Sequence, residues 1–260
     1  GSFLMLEGSA AVSHSGAVID VTAGAEIPSG AALAANHRYL VGEDTTASVN
    51  IRSGQAALGV QGGYALTEGK SQHTPFFDVS QTDWFYSQVA YVYEKGLVNG
   101  VDAGHFAPQL TMTRAMLMTV LHRQAGSPAA GPDAPAFTDV TSASWCYQPV
   151  SWGAAQGITS GMGDGSFNPD GLITREQAVV MMYNYATNYL KADTSARDDL
   201  SRFADAAQVS GWARPAMGWA VRQGILNGVD NGSYLTIDPQ RSATRAEMAT
   251  MLRTFCEKIL

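Results

Sequence analysis

Cysteine is scarce in this chain: among 260 residues there are two, Cys146 and Cys256. Two cysteines are too few for a disulfide scaffold, and their spacing does not fit a metal site. We expect both to be buried free thiols that act as small apolar groups. His14, His37 and His73 are too scattered to form a metal cluster, so we interpret them as surface residues and expect neither metal nor cofactor.

Charged residues and long apolar runs are also scarce. A composition of 15% charged and 45% hydrophobic residues is typical of a globular protein and argues against disorder. The net charge of −7 disfavours binding of nucleic acid or anionic membrane by the whole chain, although it leaves room for a local basic pocket. Because no apolar run reaches about 18 residues, we expect no transmembrane helix and no membrane insertion.

The N-terminus does not resemble a signal peptide, since it lacks a basic segment followed by an apolar one. Gly1 and Ser2 are typical of a cloning remnant, so we expect the chain to be a fragment of a longer protein. The missing leader therefore says little about location.

The chain does contain an internal repeat. Each copy has, in one order, Phe-x-Asp, Trp, Gly-x-x-x-Gly, Gly-x-aromatic, Pro and Thr-Arg. The copies run from Phe76 to Arg114, from Phe137 to Arg175 and from Phe203 to Arg245. A unit of this size needs its neighbours to bury a core. We predict repeats over about 73–128, 129–192 and 193–260, which together form one domain, 73–260.

Residues 1–72 have a different texture. Short β-prone runs at 17–21, 38–41, 47–51 and 57–60 alternate with Gly, Ser and Asn turns, which predicts a small β-rich module of unknown role. Residues 67–75 are interpreted as the linker.

Each repeat predicts a helix, a loop and a second helix. The first helix is expected to start near the Trp, with Asp83 and Ser144 as N-caps and Gly211 as a weaker third, and to end at a glycine. These glycines are Gly96, Gly157 and Gly224. The matched positions Ala90, Ser151 and Gly218 inside the first helices are small, so three related helices could meet closely around a common axis.

The second helix is expected to open at the Thr of Thr-Arg. Thr174 with Gln177, and Thr244 with Glu247, predict capping boxes, whereas Met116 breaks the box of the first copy. Apolar residues at helical spacing predict core stripes. The stripes are Leu117, Val120 and Leu121; Ala178, Met181, Met182 and Tyr185; and Met248, Met251, Leu252 and Phe255.

The arginine of Thr-Arg has no such structural explanation. At the first helical position a cation is disfavoured by roughly 0.3–1 kcal/mol, yet Arg114, Arg175 and Arg245 all stand there. An arginine beside the free N–H groups of a helix N-terminus predicts a receptor for a carboxylate or phosphate. The alternative is a structural ion pair with the Asp of Phe-x-Asp. These aspartates are Asp78, Asp139 and Asp205.

The tryptophan of each copy admits two interpretations. A buried core anchor is the more common use of tryptophan, and a platform that stacks on a sugar ring is the alternative. These tryptophans are Trp84, Trp145 and Trp212. The Gly163–Asp170 segment lacks the ligand spacing of a calcium loop and is interpreted as a turn. No nucleophile, acid–base pair or nucleotide motif recurs, so we expect no catalytic site.

The ordered motifs resemble the S-layer homology (SLH) repeat, over about residues 76–260. The resemblance implies a mainly α fold, a pseudo-threefold trimer of helix-loop-helix repeats, here preceded by the β-rich module. It also implies binding of a cell-wall polysaccharide, often one with a pyruvylated amino sugar, in grooves between repeats. The implied ligand-binding residues are Arg114, Arg175, Arg245, Asp78, Asp139, Asp205, Trp84, Trp145, Trp212, Gly104, Gly165 and Gly232.

We therefore expect a non-catalytic module that anchors a protein non-covalently at the cell surface, in the cell wall or S-layer of a Gram-positive-type bacterium. Two alternatives stay open: a protein-interaction or self-assembly module, or the anchoring tail of an exported enzyme. The copies read Thr-Arg-Ala-Met, Thr-Arg-Glu-Gln and Thr-Arg-Ala-Glu, so the three grooves are not expected to be equivalent.

Overall fold

The computed structural model describes the side chains of residues 74–80, 82–102, 104–132 and 134–260, and strand pairing within residues 10–61. The chain divides into two compact units, residues 1–77 and 78–260. The domain boundary at 72/73 and the repeat boundaries stay predictions. His14, His73, the side chain of His37 and the linker up to residue 73 lie outside the described residues.

The first unit contains short strands. They are β1 (Ala10–Val12), β2 (Val18–Val21), β3 (Ala25–Glu26), β4 (Ala32–Leu33), β5 (His37–Leu40), β6 (Thr46–Arg52) and β7 (Gln55–Gln61). One sheet has the order β1-β6-β7-β3-β4, and a second pairs β2 with β5. β6 and β7 form the longest ladder, antiparallel from the Thr46–Gln61 pair to the Arg52–Gln55 pair. The four β-prone runs of the sequence overlap β2, β5, β6 and β7.

The second unit is mainly helical, which confirms that part of the predicted fold class. Its helices are α1 (Tyr86–Glu94), α2 (Arg114–Gln124), α3 (Tyr147–Ala155), α4 (Arg175–Asn184), α5 (Arg214–Arg222) and α6 (Arg245–Ile259). A π-helical turn (Tyr185–Tyr189) continues α4, and a 3₁₀ turn (Ala206–Gln208) precedes α5. A small hairpin of β8 (Val229–Asp230) and β9 (Leu235–Thr236) lies between α5 and α6. Among the described residues, no helix combines the length and apolar character needed to cross a membrane.

The first helix of each repeat begins later than the sequence predicts. The observed N-caps are Phe85, Cys146 and Ala213, none of which makes a side-chain cap. Asp83 and Ser144 instead close the preceding turn, where they accept from the backbone N–H groups of Ser80 and Thr141. The prediction of Asp83, Ser144 and Gly211 as N-caps is therefore wrong: the side chains of Asp83 and Ser144 are used one turn earlier, and the third helix has its N-cap at Ala213.

The ends of these helices and the starts of the second helices match the prediction. Gly96, Gly157 and Gly224 follow the C-caps at φ values of 66°, 66° and 72°, the left-handed conformation that glycine adopts without strain. Thr174 and Thr244 form complete capping boxes with the residues three positions later. Thr113 accepts from the N–H of Met116 and is the cap of α2.

Helix packing links each repeat to the next. The first helix of one repeat packs on the second helix of the preceding repeat: α3 on α2, α5 on α4 and α1 on α6. Because α1 belongs to the first repeat and α6 to the third, these contacts close into a cycle. The predicted stripes on α2, α4 and α6 are buried throughout, and each large apolar side chain so removed from water contributes about 1.5–3 kcal/mol.

A ring of backbone hydrogen bonds closes in the same way. The N–H of Met112 donates to the carbonyl of Ala243 at 3.2 Å, that of Ala243 to Ile173 at 3.2 Å, and that of Ile173 back to Met112 at 3.0 Å. These three residues directly precede the capping threonines. The start of each second helix is therefore fixed by both other repeats.

The small residues of the first helices are buried, but at Gly218 the close neighbour is not another helix. A Cβ added there would lie 2.9 Å from the carbonyl oxygen of Asp198, and the N–H of Asp198 donates to the carbonyl of Gly218. The segment that connects the second and third repeats crosses α5 at this point.

The two cysteines are free. Cys146 is buried as predicted, whereas Cys256 is half-buried. Burial raises the pKa of the Cys256 thiol to about 11.

Candidate functional site

The three arginines of Thr-Arg are buried, at 4%, 5% and 7% exposure for Arg114, Arg175 and Arg245. Each donates from Nε to a backbone carbonyl of the next repeat. The acceptors are Phe167 at 2.8 Å, Ile237 at 3.0 Å and Phe106 at 2.7 Å, respectively. The arginines thus join the repeats in the same cyclic order as the helices.

The aspartates of Phe-x-Asp hold the loops that carry these carbonyls. Asp139 accepts from the N–H groups of Phe167 and Asn168 at 2.8 and 2.7 Å. Asp78 does the same for residues 106 and 107, and Asp205 for residues 237 and 238. Each carboxylate therefore fixes a loop onto which an arginine of another repeat docks.

The alternative of an Arg–Asp ion pair is wrong for the described residues, since no such pair falls within 4 Å among the three arginines and these three aspartates. The charges still affect one another. Burial lowers the pKa of Arg114, and the nearby Asp139 carboxylate opposes that shift. The same balance applies to Arg245 and Asp78.

The free helix N-terminus expected beside each arginine is occupied. The N–H groups of Arg114 and Ala115 donate to the carbonyls of Gly171 and Pro169 at 2.9 and 3.1 Å. Equivalent bonds cover the starts of α4 and α6. Because the neighbouring repeat and the capping threonine satisfy these groups, the prediction of backbone N–H groups free for an anion is wrong. Of the two kinds of donor predicted to bind an anion, only the guanidinium groups are left as candidates.

The three tryptophans of the repeat are exposed. Trp84, Trp145 and Trp212 have exposed fractions of 60%, 62% and 59%. The interpretation of these tryptophans as core anchors is therefore wrong. The large buried aromatics are instead Trp152 and Trp219 of the first helices. Three largely exposed indole rings thus lie at matched positions of the repeats.

One groove of about 470 Å³ contains an arginine and a tryptophan from the predicted set. Its lining consists of Arg114, the loop 158–163, four residues of α4 (Gln177, Val180, Met181 and Asn184) and Trp212. We call this the Arg114 groove. It draws on all three repeats. Arg114 is its one charged lining residue, and the other residues offer neutral polar groups and apolar surface.

The outer nitrogens of the three arginines differ in their partners. Among the described residues, neither Nη atom of Arg114 has a hydrogen-bond acceptor. Arg175 Nη1 lies 3.8 Å from a carboxylate oxygen of Glu247, which in turn binds Arg241 at 2.6 Å. Arg245 Nη2 donates to the carbonyl of Asn99 at 2.6 Å. Arg114 therefore keeps the most unused hydrogen-bonding capacity for an anion.

The loop glycines of the predicted set do not line the Arg114 groove. Gly165 accepts from the N–H of Thr138, and Gly104 and Gly232 donate to aspartates two residues earlier. The glycines that do line it are Gly161 and Gly163. The signal for Gly161 was present in the sequence, since it is the second glycine of Gly-x-x-x-Gly. The polar lining residue Gln177 was recognised only as a helix cap.

No group of three or more His, Cys, Asp or Glu residues in the described part of the chain could hold a metal ion. The segment 163–170 instead makes turn hydrogen bonds, such as those from the N–H and Oγ of Ser166 to Asp164.

This chain is similar to several known proteins. An endoglucanase of Bacillus sp. (strain KSM-635) is 30% identical over 74% of this chain and 20% of its own length. The surface-layer 125 kDa protein of Lysinibacillus sphaericus is 26% identical over 64% of this chain and 13% of its own length. Among solved structures, an undecaheme cytochrome from the S-layer of Carboxydothermus ferrireducens is 24% identical, covers 56% of this chain and 22% of its own, and has a TM-score of 0.29.

The chain thus spans about a fifth or less of the length of these two relatives. The match to the endoglucanase extends over 192 residues. The model of the S-layer homology domain matches three times in tandem, at residues 75–115, 136–179 and 202–249. The expected cell-surface location and surface-anchoring role are confirmed at the level of the family, and the chain belongs to the S-layer homology domain family.

Proposed function

We propose that this domain binds an anionic cell-wall polysaccharide in the Arg114 groove and thereby holds its parent protein on the cell surface without a covalent bond. The observation that carries the proposal is the Arg114 guanidinium, whose two Nη groups have no acceptor among the described residues of the groove. The edge formed by two free Nη groups can bind a carboxylate through two parallel N–H···O bonds.

The chemistry of the groove favours one class of ligand. A single cation among neutral polar groups and apolar surface suits a sugar that carries one carboxylate, such as a pyruvate ketal. A densely phosphorylated polymer would meet too few cations. The exposed face of Trp212 offers a sugar ring the apolar contact that such rings make with indoles.

The cyclic contacts support the pseudo-threefold arrangement that the resemblance implies. Helix packing, the Met112–Ala243–Ile173 ring and the arginine bonds all run in one cyclic order. In such an arrangement each repeat would contribute to a groove. The partners of Arg175 and Arg245 favour the Arg114 groove as the main binding site. The other predicted site residues would act more weakly or through the loops they hold.

The test is co-sedimentation with purified bacterial cell walls, before and after mild acid removes ketal-linked pyruvate. Wild-type protein is expected to bind untreated walls and to lose binding after the acid treatment. Arg114→Ala should weaken binding by about 10- to 150-fold, which corresponds to loss of a charged hydrogen bond of roughly 1.5–3 kcal/mol. Arg222→Ala removes an exposed arginine outside the groove and should bind as wild type. Equal binding by Arg114→Ala, with its fold verified by circular dichroism, would refute the groove assignment.

A second candidate is favoured by one comparison. The likeness to an endoglucanase fits the anchoring tail of an exported enzyme. This reading gives the domain the same binding role and differs only in the cargo, so the sequence of the full-length gene decides it.

A further inference from the structure

Glu176 is a buried carboxylate that the proposed binding chemistry does not use. It occupies the second position of α4 and is 2% exposed. At a helix N-terminus its negative charge is favourable. Unpaired carboxylates are almost never buried to this degree, so its partners are informative.

Those partners belong to the third repeat. Glu176 accepts from the N–H of Ser210 at 3.0 Å, from the hydroxyl of Ser210 at 2.8 Å and from the side-chain amide of Gln240 at 2.7 Å. The carbonyl of Ser210 in turn accepts from the N–H groups of Ala213 and Arg214. Ser210 is therefore held on both sides, and Trp212 lies inside the turn that it starts.

In the other two repeats a side chain closes the turn just before the tryptophan. Asp83 and Ser144 each bind a backbone N–H three residues earlier, within their own turns. The matching position in the third repeat is Gly211, which has no side chain. The positions that match Glu176 are Ala115 and Ala246. The third repeat therefore lacks this side-chain closure, and it receives a carboxylate from its neighbour instead.

We propose that Glu176 is a positioning residue that fixes Trp212 in the Arg114 groove and so sets the affinity of that groove for its ligand. The inference rests on the proposed function, since it deepens the account of the same site. A tryptophan with 59% exposure would otherwise need to be ordered when the ligand binds. Glu176 reduces this cost before binding, because the part of the groove wall formed by Trp212 is already in place.

The first experiment needs no ligand. The full chain is labelled with 5-fluorotryptophan, and the ¹⁹F resonances of its five tryptophans are assigned by Trp→Phe variants. Glu176→Ala should shift or broaden the resonance of Trp212 and leave those of Trp84 and Trp145 in place. Glu176→Gln keeps one acceptor oxygen and should give a smaller change. An unchanged Trp212 resonance in Glu176→Ala would overturn the inference.

The second experiment measures wall binding of the same variants. Glu176→Ala should weaken binding by about 2- to 10-fold, the range for ordering one side chain on binding. In a Trp212→Ala background it should cause no further loss. Glu257→Ala removes an exposed carboxylate on α6 and is the matched control.

The two readouts separate the possible failures. If Glu176→Ala changes the Trp212 resonance but leaves wall binding intact while Arg114→Ala weakens it, the claim about affinity is overturned and the proposed function stands. If Arg114→Ala does not weaken wall binding, the proposed function fails, and with it the claim about affinity; the coupling of Glu176 to Trp212 is still judged by the ¹⁹F spectra.

Discussion

Arg114 in the first repeat donates from Nε to the carbonyl oxygen of Phe167 in the second, across 53 residues of sequence, at 2.8 Å. The same loop is held by Asp139, which accepts from the N–H of Asn168 at 2.7 Å, and this N–H lies in the same peptide group as the Phe167 carbonyl. The motif residues Arg and Asp are thus coupled through one peptide group between them rather than by direct contact. Loss of the Asp should loosen the loop on which the Arg rests.

This coupling predicts that the same substitution has unequal effects in different repeats. Asp205 and Asp139 each accept two backbone N–H bonds of 2.7–2.8 Å, but Asp205 is 8% exposed and Asp139 is exposed. Asp205→Ala should lower the free energy of unfolding by roughly 1.5–3 kcal/mol, because buried N–H groups lose a charged acceptor. Asp139→Ala should cost less, since water can replace the carboxylate there. Urea unfolding followed by circular dichroism measures both, and a larger loss for Asp139→Ala would contradict this account.

Adding a single methyl group at Gly218 is predicted to lower the stability of the fold. Inside a helix, Gly→Ala normally stabilises by about 1 kcal/mol. At Gly218 the new Cβ would lie 2.9 Å from the backbone carbonyl of Asp198 and 3.4 Å from the Cβ of Arg197. Gly218→Ala should therefore destabilise by about 1–3 kcal/mol, as overpacking does. Gly131→Ala meets no atom within 4 Å and is the control; thermal melts compare the two. A higher melting temperature for Gly218→Ala would show that the connecting segment yields.

Much of this fold could be predicted from sequence because its signals are local. The capping boxes at Thr174 and Thr244, the glycine ends of the first helices and the apolar stripes depend on residues within a few positions of one another. The predicted starts of the first helices are wrong because an aspartate is equally favourable as a helix N-cap and as the residue that closes a turn. Asp83 closes the turn before the helix.

The candidate site was harder to predict because its contacts are distant in sequence. The repeat motif does not indicate that the arginine of one copy donates to a loop carbonyl of the next copy. It also does not indicate that the N-terminal N–H groups of α2 donate to the carbonyls of Gly171 and Pro169. The sequence left open whether the tryptophans are core anchors or exposed platforms, because burial of an aromatic side chain depends on packing partners that a motif does not name. Glu176 departs from the repeat pattern, and its role became visible only through Ser210.

The residue at the third position of the second helix, Gln177 in α4 and Glu247 in α6, is expected to control whether the nearby arginine can bind an anion. Gln177 lines the Arg114 groove, and Glu247 stands at the matching position beside Arg175. Both residues complete a capping box, so Gln177→Glu and Glu247→Gln should fold normally. Gln177→Glu places a carboxylate in the groove and should weaken wall binding by about tenfold or more through repulsion of the ligand.

The second variant, Glu247→Gln, is tested in a protein whose Arg114 groove has lost its arginine. In an Arg114→Ala background, Glu247→Gln should restore part of the wall binding, because Arg175 loses its carboxylate neighbour. Wall binding that is unaffected by Gln177→Glu would mean that the ligand does not approach this side of the groove. No restoration by Glu247→Gln would mean that Arg175 cannot serve an anion even when unpaired.

The charge of Glu247 is also predicted to stabilise the fold at neutral pH and to lose this effect at acid pH. Burial alone would raise the pKa of this carboxyl, but hydrogen bonds from Arg241 and the N–H of Thr244 outweigh burial and lower it below its usual 4.5. A carboxylate whose pKa is lowered by folding stabilises the folded state above its unfolded pKa, and this contribution disappears as pH falls through the folded value. The difference in unfolding free energy between wild type and Glu247→Gln should therefore be full at pH 7 and shrink below about pH 4.5. Other carboxylates titrate in both proteins and cancel in the difference. A difference that stays constant from neutral to strongly acid pH would show that the Arg241–Glu247 pair contributes nothing through the charge of Glu247.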